Sequence, residues 1–230
     1  MKLLGTGNPK TSKGEKRGFL TFIMHLAPHT LSGYNVCPMA SIGCALACLN
    51  TSGRGAMNKI QEARIKKTKW FFEDRDSFMI QLARDIQAGI RKAARENLTP
   101  VFRLNGTSDI RWENMDILEY RNIMEMFPDQ TFYDYTKLPN RKDIPSNYNL
   151  TFSRSESNEN KIGEAMCNGM NVAVVFDTKK DADLPNEWRN LPVVDGDADD
   201  LRFLDAPGVF VGLRAKGKGK KDSSGFVVEV

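Results

Sequence analysis

The sequence predicts an α/β fold on a mainly parallel sheet, arranged as a full or partial (β/α) barrel. Short apolar runs of strand-like composition alternate with segments that repeat apolar residues at helical spacing. Such alternation is typical of parallel strands joined by helices. No internal repeat or linker interrupts the 230 residues, a length that one barrel-like domain can reach. We therefore predict a single domain, 1–230.

The elements follow in a regular order. A polar, glycine-containing stretch predicts a flexible arm over residues 1–16. The apolar run 19–26 predicts a first strand, and a long loop, 27–55, comes after it. Helices are predicted over about 56–71 and from Asp76 onward. The remaining predicted elements are strands at 100–105, 131–135, 148–153, 171–176, 191–194, 209–213 and 226–230, helices at 112–127 and 158–168, and a mobile Lys/Gly-rich loop at 216–224.

Composition and charge limit the class of protein. The apolar fraction is 40% and the charged fraction 27%, as in ordinary globular domains. Neither a membrane-length apolar stretch nor an N-terminal signal core is present, so we expect a cytoplasmic protein without a membrane partner. The segment 54–95 carries eleven Lys or Arg against five Asp or Glu. This excess fits either a solvated helix face or an anionic partner such as nucleic acid.

Three of the four cysteines fall within twelve residues, at Cys37, Cys44 and Cys48. In a cytoplasmic chain such a cluster indicates metal binding or catalysis more than disulfides. Thiolates favour zinc and iron–sulfur clusters. Zinc in a structural site needs a fourth ligand, for which Cys167, His29 and His25 are candidates. A four-iron cluster can be held by three cysteines, and unrelated buried thiols are the plainer alternative.

Polar side chains follow almost every predicted strand. In parallel barrels the active site lies at the carboxyl ends of the strands, so we expect these residues to form a substrate-binding or catalytic rim beside the cysteine loop. Gly53 and Gly55 flank Arg54 before a basic helix, which makes Arg54 a candidate for anion binding. The rim residues are Arg103, Asn105, Asp109, Asp134, Lys137, Ser153, Arg154, Asp177, Asp195 and Lys216.

Several motifs resemble the phage gene product 88 family, over nearly the whole chain. They are LAPHTLSGYNVCPMASIGCALACLNTSGRG (26–55), RLNGTSDIRWE (103–113), FYDYTK (132–137), LTFSRSE (150–156), VVDGDADDLRFLD (193–205) and GLRAKG (212–217). The resemblance implies a bacteriophage or prophage origin and a host-cytoplasm setting. It implies no particular activity.

The cysteine loop is also loosely similar to that of radical S-adenosylmethionine enzymes, which place three cysteines after the first strand of a partial (β/α) barrel. In that family the cysteines are separated by three and then two residues, and here by six and then three. The similarity implies a 4Fe–4S cluster on Cys37, Cys44 and Cys48, with S-adenosylmethionine on the open iron. It also places residues 105–108 near the cofactor's amino group and Ser153 and Arg154 near its ribose or carboxylate.

These observations leave three functions open. The first is an iron–sulfur enzyme of the radical S-adenosylmethionine type, acting on an unidentified small molecule. The second is a nucleic-acid-binding phage protein stabilised by zinc or an iron–sulfur cluster, with its basic helices on phosphate. The third is a cluster protein that acts on a host partner without catalysis.

Overall fold

The computed structural model describes residues 1–7 and 10–230. Within them the strands, in chain order, are β1 (Leu4–Gly5), β2 (Phe19–Met24), β3 (Thr99–Arg103), β4 (Thr131–Thr136), β5 (Tyr148–Ser153), β6 (Asn171–Phe176), β7 (Glu187–Trp188), β8 (Leu191–Asp195), β9 (Phe210–Arg214) and β10 (Val227–Val228). The α-helices are α1 (Ile42–Leu46), α2 (Asn58–Glu73), α3 (Arg75–Arg95), α4 (Ile123–Met126) and α5 (Ile162–Cys167). Short 3-10 helices cover Thr11–Arg17, Leu49–Thr51, Gly53–Ala56, Trp112–Asn114, Glu159–Lys161, Arg202–Leu204 and Gly217–Lys221.

The strands form one sheet in the order β1-β2-β3-β4-β5-β6-β9-β8-β7, with β10 paired to β6. All pairs from β2 through β8 are parallel, and only the outermost pairs, β1 with β2 and β7 with β8, are antiparallel. The prediction of an α/β fold with a mainly parallel sheet is confirmed. Parallel neighbours need long crossover connections, and these bring every loop that follows a parallel strand to the same edge of the sheet.

The sheet is open over the described residues, so the prediction of a full barrel is not confirmed. Its path ends at β1 on one side and at β7 on the other, and these two strands do not pair. Both are two residues long and antiparallel to their neighbours. A closed barrel would require the parallel strand pairing to continue around the barrel axis. Here the parallel pairing ends at these short antiparallel strands.

Helix α3 covers one face of the sheet. Its buried positions repeat at helical spacing and include Phe78, Leu82 and Ile86, none of which is exposed to solvent. Gly89 brings the helix close, because a Cβ there would lie 3.2 Å from the ring of Phe22. Burying each large side chain contributes roughly 1.5–3 kcal/mol. The main hydrophobic core therefore lies between this helix and the first strands of the sheet.

The opposite face of the sheet carries a smaller apolar cluster and a buried ionic network. Val101 and Tyr133 pack against Leu201 from the segment before β9. The neighbouring Asp200 is 1% exposed. Its carboxylate accepts hydrogen bonds from Arg103 at 3.0 and 3.2 Å and forms an ion pair with Lys10 at 3.1 Å. Residues 198–205 thereby cover this face.

Three predicted segments differ from the structure. A helix over 112–127 was wrong: the 3-10 helix Trp112–Asn114 and α4 are separated by Leu118, whose φ is +49°. The predicted helix 158–168 is a 3-10 turn followed by the six-residue α5. In the predicted mobile loop 216–224, Gly217–Lys221 forms a 3-10 helix with Gly219 buried.

The predicted arm 1–16 carries regular structure, with residues 8 and 9 lying outside the described chain. Leu3 and Leu4 are buried, and their amides donate to the carboxylate of Asp85 at 2.6 and 3.1 Å. The 3-10 helix Thr11–Arg17 follows. The apolar pair at Leu3 and Leu4 anchors this segment to α3. In the described chain, no helix combines the length and the apolar character needed to cross a membrane.

Candidate functional site

The cysteine loop follows β2 and lies at the carboxyl edge of the parallel strands. Within it, Ser41 caps α1 by accepting the amide of Cys44 at 3.1 Å. The carboxylate of Glu156, just after β5, accepts the Ser41 hydroxyl and the Gly43 amide, each at 2.8 Å. These bonds join residues more than 110 positions apart and fix α1 against the sheet.

The three loop thiols are half-buried neighbours. Burial, with smaller contributions from the nearby Cys48 and Cys44, raises the pKa of Cys37 to about 12. Burial likewise raises the pKa of Cys48, with an added contribution from Cys44. Burial raises the pKa of Cys44, and the ammonium of Lys137 partly opposes this rise. Without a cation among them these thiols stay protonated, and a bound metal would favour their thiolate forms.

Among residues 1–7 and 10–230, no group of three or more His, Cys, Asp or Glu side chains is arranged to hold a metal ion. Of the three candidate fourth ligands, two are exposed: Cys167 at the end of α5, and His29, whose Nδ1 lies 3.2 Å from Thr30 Oγ1. The backbone of His29, a candidate ligand, lies next to the Cys37 thiol. His25 stays neutral, because burial and then Arg64 lower its pKa to about 3.

Lys137 connects the ends of two strands to the cysteine loop. Its Nζ donates to Ser153 at 3.1 Å (Oγ) and 3.2 Å (O), and its charge lies close enough to Cys44 to oppose the rise in the pKa of that thiol. Its backbone amide donates to Asp109 Oδ2 at 2.8 Å. Among the described residues no group donates a hydrogen bond to the other oxygen of Asp109, which forms an ion pair with Arg141 at 3.8 Å. Burial raises the pKa of this carboxyl. The structure thus brings Lys137, Ser153 and Asp109 together beside the thiols.

Arg154 is buried and holds the C-terminal segment in place. Its guanidinium donates to the carbonyls of Gly225 at 2.5 Å and Phe226 at 2.9 Å. Beyond the end of β5, β10 takes the position next to β6, with Val227 opposite Val175. The Phe226 ring lies 5.4 Å from Lys137 Nζ. Arg154 therefore reaches the site indirectly, by fixing a segment that packs on the loop.

Three other rim residues occupy internal networks. Asn105 accepts the Ser108 hydroxyl at 2.8 Å and the Trp112 ring N–H at 3.1 Å. Asp134 accepts the Asn105 amide at 2.7 Å and the Tyr148 hydroxyl at 2.9 Å, and burial raises its pKa to about 7. Arg103 is bound to Asp200. These side chains support the loop that follows β3.

The remaining candidates lie on the surface. Asp195 pairs with Arg214 at 3.0 Å, and Lys216 pairs with Asp197 at 2.5 Å. Arg54 donates to the carbonyl of Gly7 at 3.2 Å. Asp177 is exposed, and its backbone amide donates to Val228. None of these contacts involves the three loop cysteines.

Sequence reasoning did not assign Glu156 or Phe226 to the site, nor Arg64, which faces Cys48 and donates to Asn50. Glu156 stands in the polar run after β5, and that was the only signal available. A contact between residues 43 and 156 or 226 depends on the path of the whole chain, so the spacing of residues along the sequence cannot reveal it.

Comparison with known proteins gives one match. The family model described as gene product 88 matches residues 2–230. No curated protein and no solved structure matches the chain. The similarity to radical S-adenosylmethionine enzymes finds no support in these comparisons, whereas the motifs around the cysteine loop and the strand ends fall within the matched family model. The chain therefore belongs to the gene product 88 family.

Proposed function

We propose that this chain is an iron–sulfur protein whose cluster is held by Cys37, Cys44 and Cys48. The observation that supports the proposal most is that these three thiols are mutual neighbours in one half-buried loop. Cysteine is the usual ligand of such clusters. In such a cluster each ligating sulfur binds a different iron, so the proposal does not require a site for a single metal ion.

The donor chemistry of the loop suits this cofactor. Burial alone keeps the thiols neutral, so the positive metal core is what stabilises the thiolates. The ammonium of Lys137 lies near Cys44, and charges and hydrogen bonds around the ligating sulfurs help set the reduction potential of a cluster. With three protein ligands, one of the four irons would stay open to an external ligand. Binding of that ligand is the chemistry that the cofactor would supply.

The narrower form of the proposal is an enzyme related to the radical S-adenosylmethionine class, working in the host cytoplasm. It is supported by an open, mainly parallel sheet with the cysteine loop directly after its first parallel strand. Lys137 and Ser153 lie at the ends of neighbouring strands, 3.1 Å apart. An ammonium and a hydroxyl so placed suit the carboxylate of an amino-acid-like ligand.

The test is iron and sulfide analysis of protein purified without oxygen, with a visible absorption spectrum. We expect iron and sulfide in similar amounts and a broad visible absorption band. Zinc without sulfide or colour would contradict the cluster and indicate a structural metal site. If iron and sulfide are found, equilibrium dialysis with S-adenosylmethionine tests the narrower proposal, and failure to bind would remove it.

Substituting one cysteine at a time gives a matched pair of variants. Cys44→Ser should lose most of the iron, because serine is a poor ligand for this metal, and Cys167→Ser should retain it, because Cys167 is exposed on α5. Iron and sulfide per chain would be measured in both variants. Unchanged iron in Cys44→Ser would refute the ligand assignment, and equal loss in Cys167→Ser would make that residue a fourth ligand.

A further inference from the structure

The surface of the cysteine loop is unusually apolar. Among the described residues, seven of the twelve exposed large apolar side chains lie between residues 31 and 60. We define the loop patch as Ile42, Leu46, Leu49 and Met57, which are 79%, 60%, 54% and 57% exposed. Ile42 and Leu46 are four residues apart on α1 and therefore share one helix face. Leu49 and Met57 follow α1 in the same loop, and exposed apolar side chains concentrated in one segment mark an interaction site more than scattered ones do.

The tertiary structure places a basic segment beside this patch. A Cβ at Gly219 would lie 3.4 Å from Ala47 Cβ, and one at Gly217 would lie 2.7 Å from Ser52 Cβ. The 3-10 helix Gly217–Lys221 thus packs along the loop, and Lys218, Lys220 and Lys221 are exposed on it. Residues 38–69 contribute six Lys or Arg and residues 216–221 four, against Glu62 within these ranges, Asp222 directly after them and Glu156 beside α1. The loop patch therefore has a strongly positive border.

Hydrogen bonds within the chain hold the segment that carries the loop patch. Ser41 and Glu156 fix α1 by direct hydrogen bonds. Gln61 ties the 3-10 helices before α2 by donating to the carbonyl of Gly55 at 3.2 Å. These contacts set the position of the loop patch on the surface.

The chemistry of the loop patch distinguishes between classes of partner. Surfaces that enter membranes or bind single-stranded nucleic acid commonly expose aromatic rings. The exposed large apolar side chains of the described residues are all aliphatic or Met, and Met is favoured at protein-binding surfaces. A second copy of the chain would bring like charges together across a symmetric interface, which costs free energy. An acidic protein does not require exposed aromatic rings on this surface, and its charge is opposite to that of the lysine border.

We propose that the loop patch and its lysine border dock an acidic protein whose contact surface has an apolar centre. The apolar side chains provide the buried centre of the interface, and Arg54, Lys59 and the three lysines of residues 217–221 attract acidic groups at its rim. Such charge pairing speeds association and makes it sensitive to salt.

The first experiment uses the full chain with the photo-crosslinking residue p-benzoylphenylalanine in place of Leu46, produced in host cells. Ile80 on α3, 36% exposed, is the matched control position. Irradiation should give a protein adduct at position 46 and not at position 80. The adduct is identified by mass spectrometry, and that protein is purified for direct binding. Adducts mainly with lipid or nucleic acid, or equal adducts at both positions, would overturn the proposal.

The second experiment measures the dissociation constant of the purified partner. The double variant Ile42→Ser/Leu46→Ser should weaken binding about tenfold or more, as the loss of interface anchors does. We also test the triple variant Lys218→Glu/Lys220→Glu/Lys221→Glu. It should weaken binding more strongly at low salt than at high salt. Ile80→Ser should leave it unchanged. A partner that is not acidic, or an affinity unaffected by both sets of changes, refutes the proposal. Iron content measured in the same variants separates this result from the cluster assignment.

Discussion

Asp200 is the residue on which one face of the sheet depends. It is 1% exposed, and it accepts bonds from Arg103 and from the Tyr133 hydroxyl at 3.2 Å. Arg103 and Lys10 hold the pKa of its carboxyl well below the usual range, although burial acts in the opposite direction. The sequence motif that includes Asp200 was recognised, yet Asp195 was chosen as the pocket carboxylate. Only the fold reveals that Asp195 is exposed and Asp200 is buried among cations.

Replacing Asp200 by Asn should lower the free energy of unfolding by about 3–5 kcal/mol, because Arg103 and Lys10 would keep their charges without the buried counter-charge. Denaturant unfolding monitored by circular dichroism measures the change. Asp181→Asn, at an exposed position, is the control and should stay within about 0.5 kcal/mol of the parent. A small effect at Asp200 would mean that solvent reaches this network.

Helices and strands were predictable where one short-range pattern dominates. The repeat of Phe78, Leu82 and Ile86 identified α3, and its start is fixed by Asp74, which accepts the Ser77 amide at 3.3 Å. The segment 112–127 shows a similar apolar repeat, but it contains a local bridge between Ile117 and Tyr120. Asn122 then caps a new helix by accepting the Glu125 amide at 2.9 Å. Side-chain caps and turns of this kind outweigh apolar spacing in short segments.

Gly43 controls how closely the C-terminal segment packs on α1. A Cβ at this position would overlap Ser224 Oγ and lie 2.7 Å from Phe226 Cβ. Gly43→Ala should therefore push residues 222–228 away from the loop and speed their backbone amide exchange. Hydrogen exchange followed by mass spectrometry on that peptide measures it.

Gly163→Ala is the matched control for this substitution. Gly163 lies within α5, and a Cβ there would contact nothing within 4 Å. Alanine at a helical position without steric conflict stabilises by roughly 0.5–1 kcal/mol, so exchange in residues 222–228 should stay as in the parent. Equal exchange in both variants would show that the close approach at Gly43 does not hold the segment.

Across the whole molecule, stability should depend on pH through Asp134. Its folded pKa is about 7, against roughly 3.9 in an unfolded chain. The folded state therefore keeps a proton that the unfolded state releases, and this contribution is present at low pH and lost as the pH rises from about 4 to 7. Arg103 and Arg141 oppose the shift but do not cancel it.

Asp134→Asn should remove this dependence. An amide can accept the Asn105 N–H through its oxygen and donate to the Tyr148 oxygen through its nitrogen, so the two contacts can persist. Relative to the parent, the variant should gain roughly 1–3 kcal/mol in unfolding free energy between pH 5 and pH 7.5. Urea titrations at both pH values test this, and parallel pH curves for the two proteins would refute a raised pKa.

The sheet topology was predictable only in part. The parallel central strands were predictable from the alternation of strands and helices, because that pattern is local and repeated. The open edges depend on β1 and β7, which are two residues long and too short to leave a sequence signature. The position of β9 between β6 and β8 and the return of β10 to the site are long-range features that no local pattern encodes.

The pairing of β10 with β6 has a consequence for synthesis on the ribosome. Cys44 and Val227 are 183 positions apart, so at about 5–20 residues per second the loop is made roughly 10–40 seconds before the strand that packs beside it. During that interval Gly43 and its neighbours have no C-terminal segment against them. The nascent chain thus passes through a stage in which the loop around Gly43 is not yet covered by the C-terminal segment.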